Sequence, residues 1–341
     1  MAFPVYFGTN RNPIASAVPN NFGTDFNPDN GAVTFGRAVL QSVDDESEIG
    51  NSNLAVDSLS PTTFLPGLQS AIVNGDPNHL LIYLHGFDYR FREAAMRAGI
   101  LGQWFNSGPK KIASTMLAFT WPSLGSLSID AYKTDYRSSG ASGGAFRTFL
   151  QALVPIMSAF KKARAGRRIS LMAHSMGNHF LRAGLQSAIG TGPGQILPRT
   201  LSPLIDRVFL LASDEDDDAL NRPDGLAPTL AITERVYQYY NNMDIALGAF
   251  SRPIHGVGRL GIDGPRDKPN FADRNITFVN CSAANRILKN GARQDEQWHQ
   301  YYRLVPEVRD DICGAMRGLA DGDFPNRVFR KKENYYRLNL K

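Results

Sequence analysis

The chain has 341 residues, of which 43% are hydrophobic and 20% charged, and its formal net charge is +5. This composition is ordinary for a soluble globular protein with a large core. So mild a positive charge does not by itself indicate a nucleic-acid-binding protein. Single α/β domains often reach this length, so we expect one domain over residues 1–341. The sequence shows no signal-peptide pattern and no run of about 18 apolar residues, so we expect a cytoplasmic protein without a membrane span.

Apolar runs typical of strands recur along the chain, with helices or long connections between them. Residues 4–9 and 33–43 predict two early strands, antiparallel and at a sheet edge. The stretch 10–30 between them is rich in Asn, Pro and Gly and predicts a loop. The later predicted strands are 79–84, 115–120, 169–173, 207–212, 235–240 and 276–280.

Helical spacing over 91–105 and 145–163 separates some of these strands. Apolar runs alternating with helices indicate an α/β fold with a mostly parallel sheet, right-handed crossovers and helices on both faces. Three further segments are long enough to cover a site, so we expect cap or lid loops at 123–144, 190–203 and 251–273.

The most informative stretch is the pentapeptide Ala-His-Ser-Met-Gly at 173–177. It lies between a predicted strand and a helical pattern, which is the context of a nucleophile elbow. Gly177 and the small Ala173, which stands where the motif has its first glycine, allow strand and helix to pass closely. We predict that Ser175 is a nucleophile. A buried serine in a turn is the alternative.

A serine hydroxyl needs an imidazole to take its proton and a carboxylate to orient that imidazole. In a fold with a nucleophile elbow the chain order is serine, acid, histidine. Asp244 follows the predicted strand 235–240 and is the preferred acid. Asp214 follows the predicted strand 207–212 and is the alternative acid, although the Asp-rich run that it begins also suits a helix N-terminus.

His299 follows the last predicted strand and is the preferred base. His255, in a loop between the last two predicted strands, is the alternative base. Alternatively, His299 is a structural residue of an amphipathic helix, packed beside Trp298 and Tyr301. Contiguous carboxylates do not converge on one ion without a shaped loop, and neither cysteine has metal-ligand spacing. We therefore expect no metal and no cofactor.

The tetrahedral intermediate of acyl transfer needs backbone N–H donors at its oxyanion. We predict that the amides of Met176, directly after the serine, and Phe87, after a strand that ends in His-Gly, form this oxyanion hole. Trp121 and His174 are predicted to line the substrate pocket, and core packing is an equal alternative for Trp121.

Six motifs of the chain form a recognisable set. They are Leu-His-Gly-Phe at 84–87, Phe-x-x-Ala-x-x-Arg at 91–97, Thr-Trp-Pro-Ser at 120–123, Ala-His-Ser-Met-Gly-Asn at 173–178, Asp-Ile-Ala-Leu at 244–247 and His-x-Tyr at 299–301. The set resembles the α/β-hydrolase superfamily and, more narrowly, a bacterial group of α/β hydrolases of unknown function. The resemblance spans roughly residues 80–302 and implies an α/β-hydrolase core with a serine nucleophile, but no particular substrate. Phe-Asp at 87–88 departs from the Tyr-Asn that this group often has.

The residues and the resemblance together predict a lipase-like serine esterase that cleaves small-molecule carboxylic esters through an acyl-enzyme intermediate. Neither nucleic acid nor stable membrane insertion is expected. An acyltransferase, an amidase or a peptidase with the same triad remains an alternative, as does a non-catalytic binding module on the same fold.

Overall fold

The computed structural model describes residues 2–14, 21–29, 32–41, 54–75, 77–286 and 298–339. The strands in these ranges are β1 (Phe3–Thr9), β2 (Arg11–Ile14), β3 (Asn21–Phe26), β4 (Thr34–Leu40), β5 (Leu54–Leu59), β6 (His79–Leu84), β7 (Ser114–Thr120), β8 (Arg168–His174), β9 (Ile205–Leu211), β10 (Thr233–Tyr240), β11 (Ile276–Asn280), β12 (Arg327–Arg330) and β13 (Tyr335–Leu338).

Eleven of these strands form one sheet, in the order β12-β13-β11-β10-β9-β8-β6-β7-β1-β4-β5. The seven strands from β11 to β1 in this order run parallel to one another. Antiparallel pairs close both ends, with β4 and β5 beyond β1 and β12 paired with β13. The chain therefore has the mostly parallel sheet that its apolar runs predict, and β6 to β11 begin and end within two residues of the predicted strands.

The N-terminal part differs from the sequence prediction. The stretch 10–30, predicted as a loop, contains the hairpin β2–β3. Its strands are short and polar, so their pattern is weak, and they are held by tertiary contacts such as the ring of Phe22 against Phe7 and Phe91. Residues 4–9 and 33–43 do form antiparallel strands, but β5 covers β4, so β4 is not the edge. The predicted end at 42–43 lies outside the described residues.

The longer helices are α1 (Pro61–Gln69), α2 (Phe91–Phe105), α3 (Ile129–Ala141), α4 (Gly143–Ala163), α5 (Gly177–Ala188) and a C-terminal helix (Pro306–Arg317). The shorter helical turns are Ser70–Asn74, Pro198–Leu201, Ala219–Asn221, Pro228–Ala231, Leu247–Ser251, Arg252–His255, Leu260–Asp263, Lys268–Phe271, Ser282–Arg286, Tyr301–Leu304 and Asp321–Asp323. No helix in the described ranges is long and apolar enough to cross a membrane.

The central strands are buried on both faces, which explains their continuous apolar sequences. Along β6, Leu80, Ile82 and Leu84 point into one hydrophobic core with α4 and α5, while Leu81 and Tyr83 point into a second with α2 and the C-terminal helix. Side chains alternate between the two faces because successive residues of a strand point in opposite directions. Because β6, β8, β9 and β10 run parallel, their carboxyl ends lie at the same edge of the sheet. This is the edge where α/β folds place their sites.

Candidate active site

The turn between β8 and α5 holds Ser175 in a left-handed backbone conformation, with φ of +54°. A non-glycine residue in this region is strained and persists only when its surroundings fix it. The Ser175 amide donates to the carbonyl of Leu211 at the end of β9 (3.0 Å), and its carbonyl accepts from the Asp214 amide (3.1 Å). Neighbouring strand ends thus hold the serine in place, only 6% exposed.

Gly177 and Asn178 complete the turn. A Cβ atom at Gly177 would lie 2.5 Å from the carbonyl oxygen of Leu84 and 2.7 Å from that of His85, so only glycine lets α5 start this close to β6. The Asn178 side-chain amide donates to the carbonyls of Ala173 (3.2 Å) and Ser175 (3.0 Å). The turn has the close strand-to-helix passage that a nucleophile elbow requires.

His299 and Asp244 form a buried hydrogen-bonded pair. The His299 Nδ1–H donates to Asp244 Oδ2 at 2.6 Å, and Asp244 Oδ1 accepts from the Leu247 amide at 3.0 Å. The carboxylate is therefore oriented on both of its oxygens. Because a carboxylate accepts the Nδ1 proton, Nε2 of neutral His299 is left to accept another.

Hydrogen bonds to Trp298 and Tyr301, and to the backbone carbonyl of His299 itself, hold the segment around His299 in place. Asn241 donates to the carbonyl of Trp298 (2.8 Å), and the Tyr301 hydroxyl donates to that of Tyr239 (2.9 Å). His174 Nε2 donates to the His299 carbonyl at 3.3 Å. Burial, aided by the proximity of His299, holds the pKa of His174 well below its usual range, so His174 is a neutral donor there.

Ser175 and His299 both line a cavity of about 570 Å³. In the described part of the chain the His299 side chain is bonded to Asp244 and not to Ser175, and catalytic hydrogen bonds of this kind often tighten only when substrate binds. The other lining residues are Phe87, Asp88, Tyr89, Arg97, Leu127, Tyr132, His174, Asp214, Ile245, Ala246, Leu247, Ala249, Phe250, Ser251, Gln300 and Arg303.

The loop after β6 passes close to the serine. A Cβ atom at Gly86 would lie 2.8 Å from Cβ of Ser175, so the chain can approach there only as glycine. Phe87 follows in the cavity wall, and Met176 is fully buried at the start of α5. Within the described residues, neither the Phe87 nor the Met176 amide has a hydrogen-bond acceptor. Two amides beside a serine, one at a helix N-terminus, suit an oxyanion.

Arg11 of the hairpin β2–β3 ties this loop to the rest of the sheet edge. Its fully buried guanidinium donates to the carbonyls of Tyr89 (2.8 Å), Ser123 (3.0 Å) and Gly23 (3.1 Å). Tyr89 lies in the loop after β6, so the hairpin holds the segment that carries Phe87. No motif in the sequence indicates Arg11, because its three acceptors are backbone groups, and two of them lie 78 and 112 residues away.

Residues 65–313 match the family model described as alpha/beta hydrolase of unknown function (DUF900). The chain belongs to this family of α/β hydrolases. Its comparison with curated proteins and with solved structures gives no match.

The alternative residues Asp214 and His255 form a separate cluster in this α/β hydrolase. Asp214 accepts from Arg259 (2.7 Å), from the Tyr132 hydroxyl (2.8 Å) and from Ser251. Burial alone would raise the pKa of Asp214, but Arg259 and these hydrogen bonds hold it below the usual range. His255 Nε2 is hydrogen-bonded to the Tyr132 hydroxyl (3.1 Å). Asp214 thus contacts Arg259 rather than His299.

Trp121 is placed differently from the expectation that it lines the pocket. It is fully buried, its indole N–H donates to the His85 carbonyl (3.1 Å), and its ring stacks on the His85 ring at 4.9 Å. It is not among the residues that line the cavity, which favours the core-packing alternative for Trp121, while His174 does line it. An apolar residue after a strand fits core and pocket equally well in a sequence.

The three segments predicted as caps differ in their relation to the cavity. From 123–144, Leu127 and Tyr132 line it, and from 251–273 only Ser251 does. No described residue of 190–203 lines it. In the described ranges, no group of three His, Cys, Asp or Glu side chains is arranged to hold a metal ion.

Proposed function

We propose that this α/β hydrolase is a serine esterase that cleaves carboxylic esters through an acyl-enzyme intermediate. The observation that carries the proposal is the strained Ser175, which lines the same cavity as His299, whose Nδ1 is held by Asp244 at 2.6 Å. In this proposal Ser175 is the nucleophile, His299 the general base and acid, and Asp244 the residue that orients His299.

The proposed reaction proceeds by two tetrahedral intermediates. Ser175 Oγ attacks the ester carbonyl while His299 Nε2 takes its proton, and the amides of Phe87 and Met176 bind the oxyanion. Collapse breaks the carbon–oxygen bond to the alcohol, which leaves with the proton from His299. Water then attacks the acyl-enzyme by the same route and releases the acid and Ser175. Asp244 stabilises the imidazolium that forms in each half.

The cavity supports a small-molecule ester as the substrate. Its volume of about 570 Å³ lies in the range usual for small-molecule sites. Its apolar lining residues include Phe87, Leu127, Phe250 and the residues between 245 and 249 that line the cavity. In this proposal the acyl chain contacts these apolar residues while the ester carbonyl lies at Ser175, which lines the same cavity.

The direct test is hydrolysis of p-nitrophenyl esters, from acetyl to long acyl chains, by wild type and Ser175→Ala. We expect turnover that disappears in Ser175→Ala, and a serine-directed fluorophosphonate should label only the wild type. Labelling that depends on Ser175 without hydrolysis of any ester would favour acyl transfer or amide cleavage. Absence of both turnover and labelling in folded protein would contradict the proposal and favour a binding module.

The two histidine candidates provide a matched pair. We expect His299→Ala to lower kcat by at least about 10³-fold, because no other group takes the Ser175 proton. His255→Ala removes a side chain that does not line the cavity and should retain most of the activity. Both are measured as kcat on the preferred p-nitrophenyl ester, and the reverse order of the two losses would reassign the base.

A further inference from the structure

Two arginines from different elements meet at the cavity. Arg97 lies in the second turn of α2, and Arg303 lies on the turn Tyr301–Leu304, four residues after His299. Both line the cavity together with Ser175 and His299. They come from positions 206 residues apart, so their convergence is a property of the fold and not of a local motif.

Both guanidinium groups are positioned by neighbouring side chains. Arg303 is only 7% exposed, and its Nε donates to Gln300 Oε1 at 2.9 Å. The Arg97 guanidinium lies 5.8 Å from the centroid of the Tyr89 ring. Gln300 and Tyr89 are themselves lining residues. A guanidinium held in this way loses little side-chain entropy when it binds an anion.

Arg97 and Arg303 both influence His174, which lines the same cavity. The pKa of His174 is lowered by burial first and by His299 next, and the positive charges of Arg303 and Arg97 lower it further. The lining carboxylates are Asp88 and Asp214, and Asp214 is already bonded to Arg259. Arg97 and Arg303 therefore both place positive charge close to His174, and the lining residues between 245 and 250 are mostly apolar.

We propose, resting on the proposed esterase function, that the substrate is an ester that carries an anionic group, a carboxylate or a phosphate, bound by Arg97 and Arg303. Guanidinium groups match the planar and tetrahedral oxygens of these anions with paired hydrogen bonds. In this proposal the remainder of the substrate contacts the apolar lining residues between 245 and 250, and its ester carbonyl lies at Ser175.

The first experiment compares esters that differ only in charge. Mono-p-nitrophenyl esters of succinic, glutaric and adipic acids are measured against p-nitrophenyl esters whose neutral acyl chains match them in length. We expect wild type to favour the charged member of at least one pair by about tenfold in kcat/KM, which corresponds to about 1.4 kcal/mol. A wild type that favours the neutral ester at every length overturns the proposal.

Variants assign the preference to the two arginines. Arg97→Gln and Arg303→Gln should each lower the charged-to-neutral ratio several-fold, and Arg303→Lys should retain part of it. Arg199→Gln, an exposed arginine outside the cavity, should leave the ratio unchanged. Ratios that stay at the wild-type value in both cavity variants overturn the proposal. Because each ratio comes from one preparation, partial unfolding cancels.

Binding to the inactive variant separates this proposal from the esterase proposal. Ser175→Ala is titrated calorimetrically with glutaric acid monoanilide, with its methyl ester, and with hexyl phosphate. We expect at least one anion to bind about tenfold more tightly than the methyl ester, and the stronger of the two anions identifies the group. The advantage should disappear when Arg303→Gln is added. Equal affinities, or no binding of either anion, overturn the anion site whether or not the protein hydrolyses esters.

Discussion

At the scale of single residues, Ser175 combines a strained backbone with several contacts that maintain it. A non-glycine residue at positive φ costs on the order of 1–3 kcal/mol, and the turn of Ser175 is held by hydrogen bonds to Leu211, Asp214 and Asn178. The serine itself could be predicted, because small residues, a strand and a helix surround it in sequence. Of the contacts that hold it, those to Leu211 at the end of β9 and to Asp214 just after β9 could not be predicted.

The sequence alone does not decide between the two candidate acids. Asp214 and Asp244 both follow an apolar strand, so the sequence leaves both as candidates. In the structure Asp244 accepts from His299, and Asp214 accepts from Arg259, 45 residues later. Pairing of a carboxylate with a distant arginine or histidine depends on how the loops pack, which a local pattern does not contain.

Asparagine substitutions should show different roles for Asp244 and Asp214, because one should affect catalysis and the other stability. We expect Asp244→Asn to lower kcat by roughly 10³-fold or more, since an amide favours the wrong tautomer of His299, with little loss of stability. Asp214→Asn should instead lower the free energy of unfolding by about 3 kcal/mol, because it leaves the buried Arg259 with less compensating charge. Ester kinetics and urea unfolding of both variants check this, and a severe kinetic loss confined to Asp214→Asn would reassign the acid.

At the scale of elements, the long apolar strands and the amphipathic helix α2 are the parts that the sequence predicts well. Burial on both faces gives β6 to β11 continuous apolar runs, and α2 begins and ends at the predicted residues. The hairpin β2–β3, the edge strand β5 and the C-terminal pair β12–β13 were not predicted. They are short or partly exposed, so neither a continuous run nor a strict alternation marks them.

Adjacent glycines at the start of α4 test how closely this helix packs on the elbow helix α5. A Cβ atom at Gly143 would lie 2.5 Å from the carbonyl oxygen of Ala183 in α5, whereas one at Gly144 would meet no atom within 4 Å. We expect Gly143→Ala to lower the free energy of unfolding by about 1–3 kcal/mol through overpacking. Gly144→Ala, its matched control, should raise that energy by up to about 1 kcal/mol. Equal effects in urea unfolding would contradict the close contact.

At the scale of the whole molecule, buried polar side chains join segments that are distant in sequence. Arg182 of α5 pairs with Glu215 after β9 (2.7 Å), and Arg259 bridges Asp214 and Asp216. Arg11 joins the N-terminal hairpin to the loop after β6 in the same manner. The interaction partners of these arginines lie from 12 to 112 residues away, and all but Gly23 lie at least 33 residues away, so the sequence alone could not predict them.

The pair formed by Glu215 and Arg182 makes the stability of the protein depend on pH. Burial raises the pKa of Glu215 from 4.5 to about 7, although Arg182 opposes the shift. The folded protein therefore holds this proton more tightly than the unfolded chain does, and the contribution of Glu215 to stability falls as pH rises from about 4.5 through 7.

Glutamine at position 215 cannot ionise, so Glu215→Gln should lack that decline. Relative to wild type, the variant should gain free energy of unfolding between pH 5 and pH 8, by up to about 3 kcal/mol for a shift of this size. Urea unfolding of both proteins at the two pH values gives the difference in their free energies of unfolding at each pH. The contributions of all other titrating groups cancel in this difference, so its change with pH reports Glu215 alone. A difference that stays constant, or that moves against the variant at pH 8, would mean that Arg182 keeps Glu215 ionised throughout this range.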